Sequence, residues 1–324
     1  MSGRERTLAD LGESALIRRI AKRAGHPSDR IWPLGIGDDA AILRTRSDEE
    51  LVLSTDCQVE DVHFRFDREG PRTIGRRALA VNLSDLAAMG AAPVGALLSL
   101  CAPPDMKVSV FDGLVAGFVD EADAFECPLV GGNLSSSEKC SLTVTVVGRC
   151  ARGGALKRRG LGVGDLLYVT GSLGAAALAR LRADRDGGRL RRVPEPRVGA
   201  GLALARMRGV RACIDVSDGI ASDLAHLLEG TSLGAEIDLS ALPVPRGFER
   251  ACRQLGLEPA EVATGGGEDY ELLFALRPRS VGASADLDPR KLARRLGVPV
   301  SRVGRVVDRS GIRGIPAIGT KHHF

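Results

Sequence analysis

Aromatic residues are scarce: one tryptophan, two tyrosines and eight phenylalanines make up 3% of the 324 residues. So few rings leave no stacking platform for single-stranded nucleic acid, and the arginines are spread along the chain instead of forming a basic stripe. Long apolar runs are missing as well. The longest, around Ala91–Ala102, is too short to span a bilayer and stops at Pro103-Pro104. Seven cysteines, at positions 57, 101, 127, 140, 150, 213 and 252, form no C-x-x-C pair and cluster with no histidine, which argues against zinc and against a disulfide framework. The opening segment MSGRERTLAD lacks the apolar core of a secretion signal. The expectation is a cytoplasmic protein with no nucleic-acid or membrane partner.

Familiar nucleotide motifs are absent too. No lysine follows a glycine, so no P-loop exists, and GIGDDA lacks the third glycine of a dinucleotide fingerprint. The protein-kinase signatures are missing. Gly230-Thr231-Ser232-Leu233-Gly234 matches the nucleophile-elbow pattern, but it follows an expected helix where that motif requires a strand.

What is present is a chain long enough for two cores, 44% hydrophobic and 27% charged, with a net charge of +4 that suits anionic substrates. Apolar spacing predicts helices over 7–23, 72–89, 106–125, 174–183, 197–208, 219–229, 247–255 and 289–296. Strands are expected at 40–44, 51–55, PVGALLSLC (93–101), SLTVTVVGRC (141–150), 166–170, 211–215, 235–239, 270–276 and 299–307. The Arg/Gly-rich piece 151–164 interrupts this rhythm, so two α/β or α+β domains are expected, 1–150 and 151–324.

Acids recur where the chain enters apolar elements. Asp38-Asp39 follow a glycine-rich bend, Asp56 closes LVLSTD, Asp85 lies in NLSDLAAMG, Asp215 and Asp218 frame DVSDG, and Glu268-Asp269 follow three glycines. Carboxylates gathered with hydroxyls suit a hard cation such as magnesium, which would relieve their repulsion. The plainer readings are local: NLSD as a helix cap, and Ser217 with Asp218 as the N-cap of 219–229. Gly131-Gly132-Asn133 and Gly265-Gly266-Gly267 would let backbone N–H groups approach phosphate, or would simply turn. Of the five histidines, His63 is placed for substrate, seven residues after Asp56, whereas His226 reads as a surface residue. Arg158, in LKRRG, would clamp a phosphate.

Six blocks, GIGDDAAIL, LVLSTDCQVEDVHF, AVNLSDLAAMGAAP, GALKRRGLGVGDLLYVTG, IDVSDGIASDL and GGGEDYELLF, resemble the thiamine-monophosphate kinase family, in order along nearly the whole chain. The resemblance implies a two-domain aminoimidazole ribonucleotide synthetase-like fold of the α/β (α+β) class. It implies a homodimer joined through N-terminal-domain strands, and an N-terminal domain that binds ATP and magnesium while the C-terminal one completes the site. It further implies ATP-dependent conversion of thiamine monophosphate to thiamine diphosphate with several Mg2+ ions. By motif, the metal set is Asp39, Ser54, Thr55, Asp56, Asp85, Asn133, Asp215 and Asp218, with Asp56 and Asp218 catalytic. The nucleotide contacts are Gly132, Asn133, Arg158 and Ser217, and the substrate contacts are His63, Glu268 and Lys321. Two positions depart from the family: Asn133 stands where many members carry aspartate, and Lys321 where an aromatic residue is common.

A phosphate acceptor, with a second pKa of about 6, is mostly ionised at neutral pH, so direct in-line transfer needs no general base. Another ATP-using synthetase of the superfamily, acting in aminoimidazole ribonucleotide or selenophosphate formation, stays open at this stage, as does a non-catalytic nucleotide-binding regulator.

Overall fold

The computed structural model describes residues 6–25, 30–36, 40–278 and 287–316. Its contacts divide the chain into two units: residues 1–86 with 92–153 and 189–193, and residues 87–91 with 154–188 and 194–324.

In the first unit, strands β1 (Glu49–Val59), β2 (Ala92–Ala102), β3 (Leu129–Ser136) and β4 (Ser141–Ala151) form a sheet in the order β1-β4-β2-β3. β4 runs antiparallel to both neighbours, and β2 and β3 are parallel across an intervening helix. Helices α1 (Leu8–Leu11) and α2 (Glu13–Ala24) precede the sheet, α3 (Pro71–Ala88) follows β1, and α4 (Val108–Ala124) links β2 to β3. Alternation makes one sheet face apolar: Leu98, Leu100, Leu142, Val144 and Val146 are buried. The other face carries Leu51, Leu53 and Leu97, which are 41%, 64% and 37% exposed.

Helices α3 and α4 touch backbone to backbone. A Cβ on Gly75 would lie 1.9 Å from the Leu114 carbonyl oxygen, and one on Gly117 would lie 2.0 Å from that of Arg72. Glycine is required at both positions by the approach itself. Ion pairs fasten the rim: Arg19 to Asp112, Arg23 to Asp120 at 3.1 Å, and Arg76 to the buried Glu121 at 2.8 Å. Trp32 packs on Val94 and Val130 and donates its ring N–H to the Val94 carbonyl at 2.9 Å.

The second unit contains strands β5 (Leu166–Thr170), β6 (Val210–Val216), β7 (Gly234–Ile237), β8 (Glu271–Leu276), β9 (Val300–Val307) and β10 (Gly311–Arg313). They form a sheet in the order β10-β7-β9-β5-β8-β6, antiparallel except for β10 with β7. Its helices are α5 (Ala175–Asp186), α6 (Val198–Ala205), α7 (Ile220–Leu228), α8 (Phe248–Gln254), α9 (Pro259–Gly265) and α10 (Pro289–Leu296). Ile214, Val216, Ile220, Leu224, Leu227 and Leu273 lie in its main core. No helix among the described residues is long and apolar enough to cross a membrane.

Several expectations need correction. Gly12, at φ 74°, divides the expected helix 7–23 into α1 and α2. The expected strand 40–44 is a single bridge from Ile42 to Leu34. Strands β3 and β10 and helix α9 were not anticipated. NLSD caps nothing, because Asn82, Ser84 and Asp85 lie inside α3. Ser217 and Asp218 do not cap α7, whose N-cap is Gly219 without a side-chain bond.

The α3–α4 approach predicts a contrast between two glycines. Gly117→Ala forces a methyl group into a carbonyl and should cost about 1–3 kcal/mol or more. Gly199→Ala, in α6 with nothing within 4 Å of its Cβ position, should be neutral or stabilising. Melting temperatures of the two variants check this, and equal shifts would refute the packing argument.

Candidate active site

In the first unit, strand alternation sorts the LVLSTD motif. Ser54 is opposite Val146 and Asp56 opposite Val144, so both side chains point to the helix-covered face. Ser54 Oγ donates to Asp85 Oδ2 from α3 at 2.5 Å. Asp56 Oδ1 accepts the Cys57 N–H at 2.6 Å, and the residue is exposed. Thr55 is opposite Thr145 on the other face; it receives the Thr145 hydroxyl at 3.1 Å and donates to the Val144 carbonyl at 3.0 Å. The structure thus brings Ser54 and Asp85 together beside Asp56, and turns the Thr55 side chain away.

Asn133 is elsewhere. The register runs Cys57, Thr143, Ser99, Asn133 across the four strands, so Asn133 shares the face of Thr55. Three strand spacings, about 14 Å, separate its row position from β1. It lines a groove of about 870 Å3 together with Ser99, Thr143 and Trp32. Gly132, at φ 155°, sits against the β2 backbone, where a Cβ would lie 1.9 Å from the Leu98 oxygen. Its missing side chain serves strand packing first. His63 lies in the turn after β1, partly buried.

In the second unit, β6 delivers Asp215, which is buried, to the loop that carries Ser217 and Asp218 into α7. The side chain behind that loop is Asp223, 2% exposed, whose Oδ2 accepts the Asp218 N–H at 3.2 Å. Burial, with the charges of Asp215 and Asp218, pushes the Asp223 carboxyl up to about 8, against the opposing pull of Arg158. Arg158 is exposed, and the backbone beside it is fixed by the bond from Cys213 N–H to the Lys157 carbonyl at 2.9 Å. Asp223 was not singled out from sequence, although Ile220, Asp223, Leu224 and Leu227 share one helical stripe. An acid on an apolar stripe was the available signal.

The GGGEDYE segment is laid against this loop. Glu268 N–H donates to the Ser217 carbonyl at 2.7 Å and Tyr270 N–H to that of Val216 at 2.9 Å. Both residues are left-handed, at φ 68° and 54°. Asp269 between them accepts the Gly174 and Ala176 N–H groups at 2.5 and 3.2 Å, serving the start of α5. Glu271 receives two 2.7 Å bonds from Arg197 and a third from the Thr170 hydroxyl. Glu268 itself pairs with Arg180 at 3.1 Å. Asp269, singled out from sequence among the acids suited to meet a cation, is instead an anchor for α5, and Glu271 and Arg197 are the anchors that sequence reading missed.

Asp39 and Lys321 lie outside the described residues. Among the described residues, no three histidine, cysteine or acidic side chains converge closely enough to hold a metal ion. The donors are nevertheless all oxygens, and the Asp215–Asp218–Asp223 group is held against its own repulsion, so the set is chemically suited to magnesium.

Comparison with known proteins places the chain in one family. Residues 37–150 match the AIR synthase related protein, N-terminal domain, and residues 162–315 match its C-terminal domain. Thiamine-monophosphate kinase from Rhodopirellula baltica is 36% identical over 287 residues, covering 86% of this chain and 85% of that one. The crystal structure of thiamine-monophosphate kinase from Stenotrophomonas maltophilia K279a superposes with a TM-score of 0.80 at 35% identity, over 95% of this chain and 98% of that one. AaThiL complexed with AMPPCP and TMP superposes with a TM-score of 0.72 at 28% identity, over 97% of each chain. The chain belongs to the thiamine-monophosphate kinase family of AIR synthase related proteins.

Proposed function

We propose that this chain transfers the terminal phosphoryl group of ATP directly to thiamine monophosphate, giving thiamine diphosphate. The observation that carries the reading is the Asp215–Asp218–Asp223 group with Arg158 beside it, in a chain of this family. Concentrated negative charge next to a guanidinium fits a metal–phosphate site better than a scaffold.

In this reading Ser54, Asp56 and Asp85 of the first unit and Asp215 and Asp218 of the second are magnesium donors, with Asp39, Thr55 and Asn133 assigned by motif. When bound, magnesium would screen the two polyanions and stabilise charge on the transferring group. Ser54 holds Asp85 in one orientation through its 2.5 Å bond, so that ligand is set before substrate arrives. Arg158 pairs with nucleotide phosphate, and Ser217 and Gly132 contact the nucleotide. His63, Glu268 and Lys321 hold the acceptor. No residue has to remove a proton, because the acceptor oxygen is already ionised. The seven cysteines are free, which fits a reducing cytoplasm.

The reading also includes a homodimer. Leu51, Leu53 and Leu97 expose an apolar sheet face, and Asn133 lies on it, away from Asp56. In this reading a site using Asn133 together with Asp56 takes one residue from each copy, since a single sheet keeps the two on opposite faces. Co-refolding equal amounts of Asp56→Asn and Asn133→Ala proteins, each inactive alone, should return about a quarter of wild-type activity, since half the dimers are mixed and each has one intact site. No recovery would refute the shared site.

ADP release with competing acceptors tests the reaction. Thiamine monophosphate should be phosphorylated and free thiamine should not, because no base is supplied to activate an alcohol. Comparable kcat/KM for both would rule out the mechanism.

Asp223 gives a test in the metal-free protein. Its folded pKa, about 8, is above the unfolded value of about 3.9, so the native state binds the proton more tightly. That contribution is fully present below about pH 4 and is lost as pH rises through about 8. Melting temperature in chelator should fall between pH 5 and 8.5, less steeply in Asp223→Asn, and magnesium should flatten the wild-type slope. Parallel slopes in wild type and variant would contradict the acid group.

A further inference from the structure

The turn that carries His63 is built to hold one tautomer of its ring. His63 Nδ1 accepts the Val59 N–H at 3.1 Å, while the His63 N–H donates back to the Val59 carbonyl at 2.8 Å. A ring nitrogen that accepts carries no proton, so the neutral imidazole has its hydrogen on Nε2. Asp61, at φ 66°, tightens the turn, and its N–H reaches the carbonyl of the buried Phe64 at 2.8 Å.

A second device fixes the backbone of the same residue. Arg77 reaches from α3 and donates to the His63 carbonyl at 2.7 Å. Its guanidinium pairs with Glu69 at 2.6 Å, with the two side chains only 11% and 2% exposed. Glu69 Oε1 also accepts the Arg65 N–H at 3.3 Å, and the Glu69 N–H donates to the Arg65 carbonyl at 2.8 Å. One buried pair therefore ties both ends of the 63–65 segment to α3. A planar fork holds a carboxylate and a carbonyl in one fixed geometry, whereas an ammonium is a point charge on a flexible stem.

We infer that His63 acts as a neutral, tautomer-locked Nε2–H donor to the phosphate of the acceptor, with Arg77 and Glu69 as the residues that position it. This rests on the assignment of His63 to the acceptor under the proposed function. With Nδ1 taken by the Val59 N–H, the hydrogen of the neutral ring lies on Nε2. The ring orients a phosphate oxygen through directionality and not through charge.

Two measurements on the full-length protein test the inference. Nitrogen-15 NMR of the imidazoles, with His63 identified by its loss in His63→Asn, should show the Nε2–H tautomer at pH 7.5. An Nδ1–H or doubly protonated ring would overturn the lock. In steady-state kinetics, His63→Asn keeps an acceptor for Val59 but loses the outer donor, and should raise acceptor KM about tenfold or more. ATP KM should move less than about twofold. Arg77→Lys should raise acceptor KM about fivefold with kcat retained. A lowered melting temperature with no change in KM would mean that the Arg77–Glu69 pair is structural only. A confirmed tautomer with unchanged acceptor KM in His63→Asn would instead overturn the donor role and the underlying substrate assignment, leaving the lock intact.

Discussion

Carboxylates gathered around the 215–223 loop are the constraint on which the second unit's candidate site depends. Like charges at short range favour the protonated form of one of them unless something pays the electrostatic cost. In the first unit the answer is a hydroxyl, Ser54 on Asp85, in a partly exposed setting. In the second it is burial of the third acid, Asp223, whose proton affinity rises because water is withheld and Asp215 and Asp218 add like charge, against the pull of Arg158. The acids are held by backbone: Asp215 by a strand interior, Asp218 through its own N–H. Such an arrangement has no structural advantage over apolar packing.

The same economy of means appears in GGGEDYE. Two non-glycine residues in left-handed conformation cost of order 1–3 kcal/mol each, and persist only where the surroundings over-determine them. Here the surroundings are explicit. The Glu268 and Tyr270 N–H groups each have a carbonyl on the 216–217 loop, and Asp269 and Glu271 are bonded to α5 and Arg197. Gly267 is needed because a Cβ there would lie 2.4 Å from the Ser217 oxygen. Strain in this segment thus fixes the loop that bears Ser217 and Asp218, and the Glu268 carboxylate follows as a consequence of the backbone path.

Local periodicity made much of the fold legible. The run 166–170 was expected as a strand and is β5, and 289–296 was expected as a helix and is α10. β3 escaped because Gly131 and Gly132 depress strand character, and its pairing to β2 crosses a whole helix. The reason those glycines are tolerated, contact with the Leu98 backbone, has no local signature. Asp223 could have been read from its stripe, whereas Arg197 and Glu271 are 74 positions apart, one before α6 and the other on β8, and only the tertiary fold brings them together. The motif residues Asp56, Asp85, Asp215 and Asp218 were legible as types, but the faces they occupy depend on register.

Register changes the meaning of the STD motif. Three consecutive residues read as one ligand set, yet a strand alternates, and Thr55 leaves by the opposite face from Ser54 and Asp56. Asn133 lies on the Thr55 side, in the next row of the sheet. Within one copy, the two faces of a four-stranded sheet cannot serve one cation. If the motif is to act as a unit, Thr55 must contribute through its backbone or the second face must be met by another copy. That face is mixed, with Leu51, Leu53 and Leu97 exposed among Thr55, Thr145 and Asn133. Sheet geometry, more than the identity of any single acid, therefore decides which residues of the motif share a face.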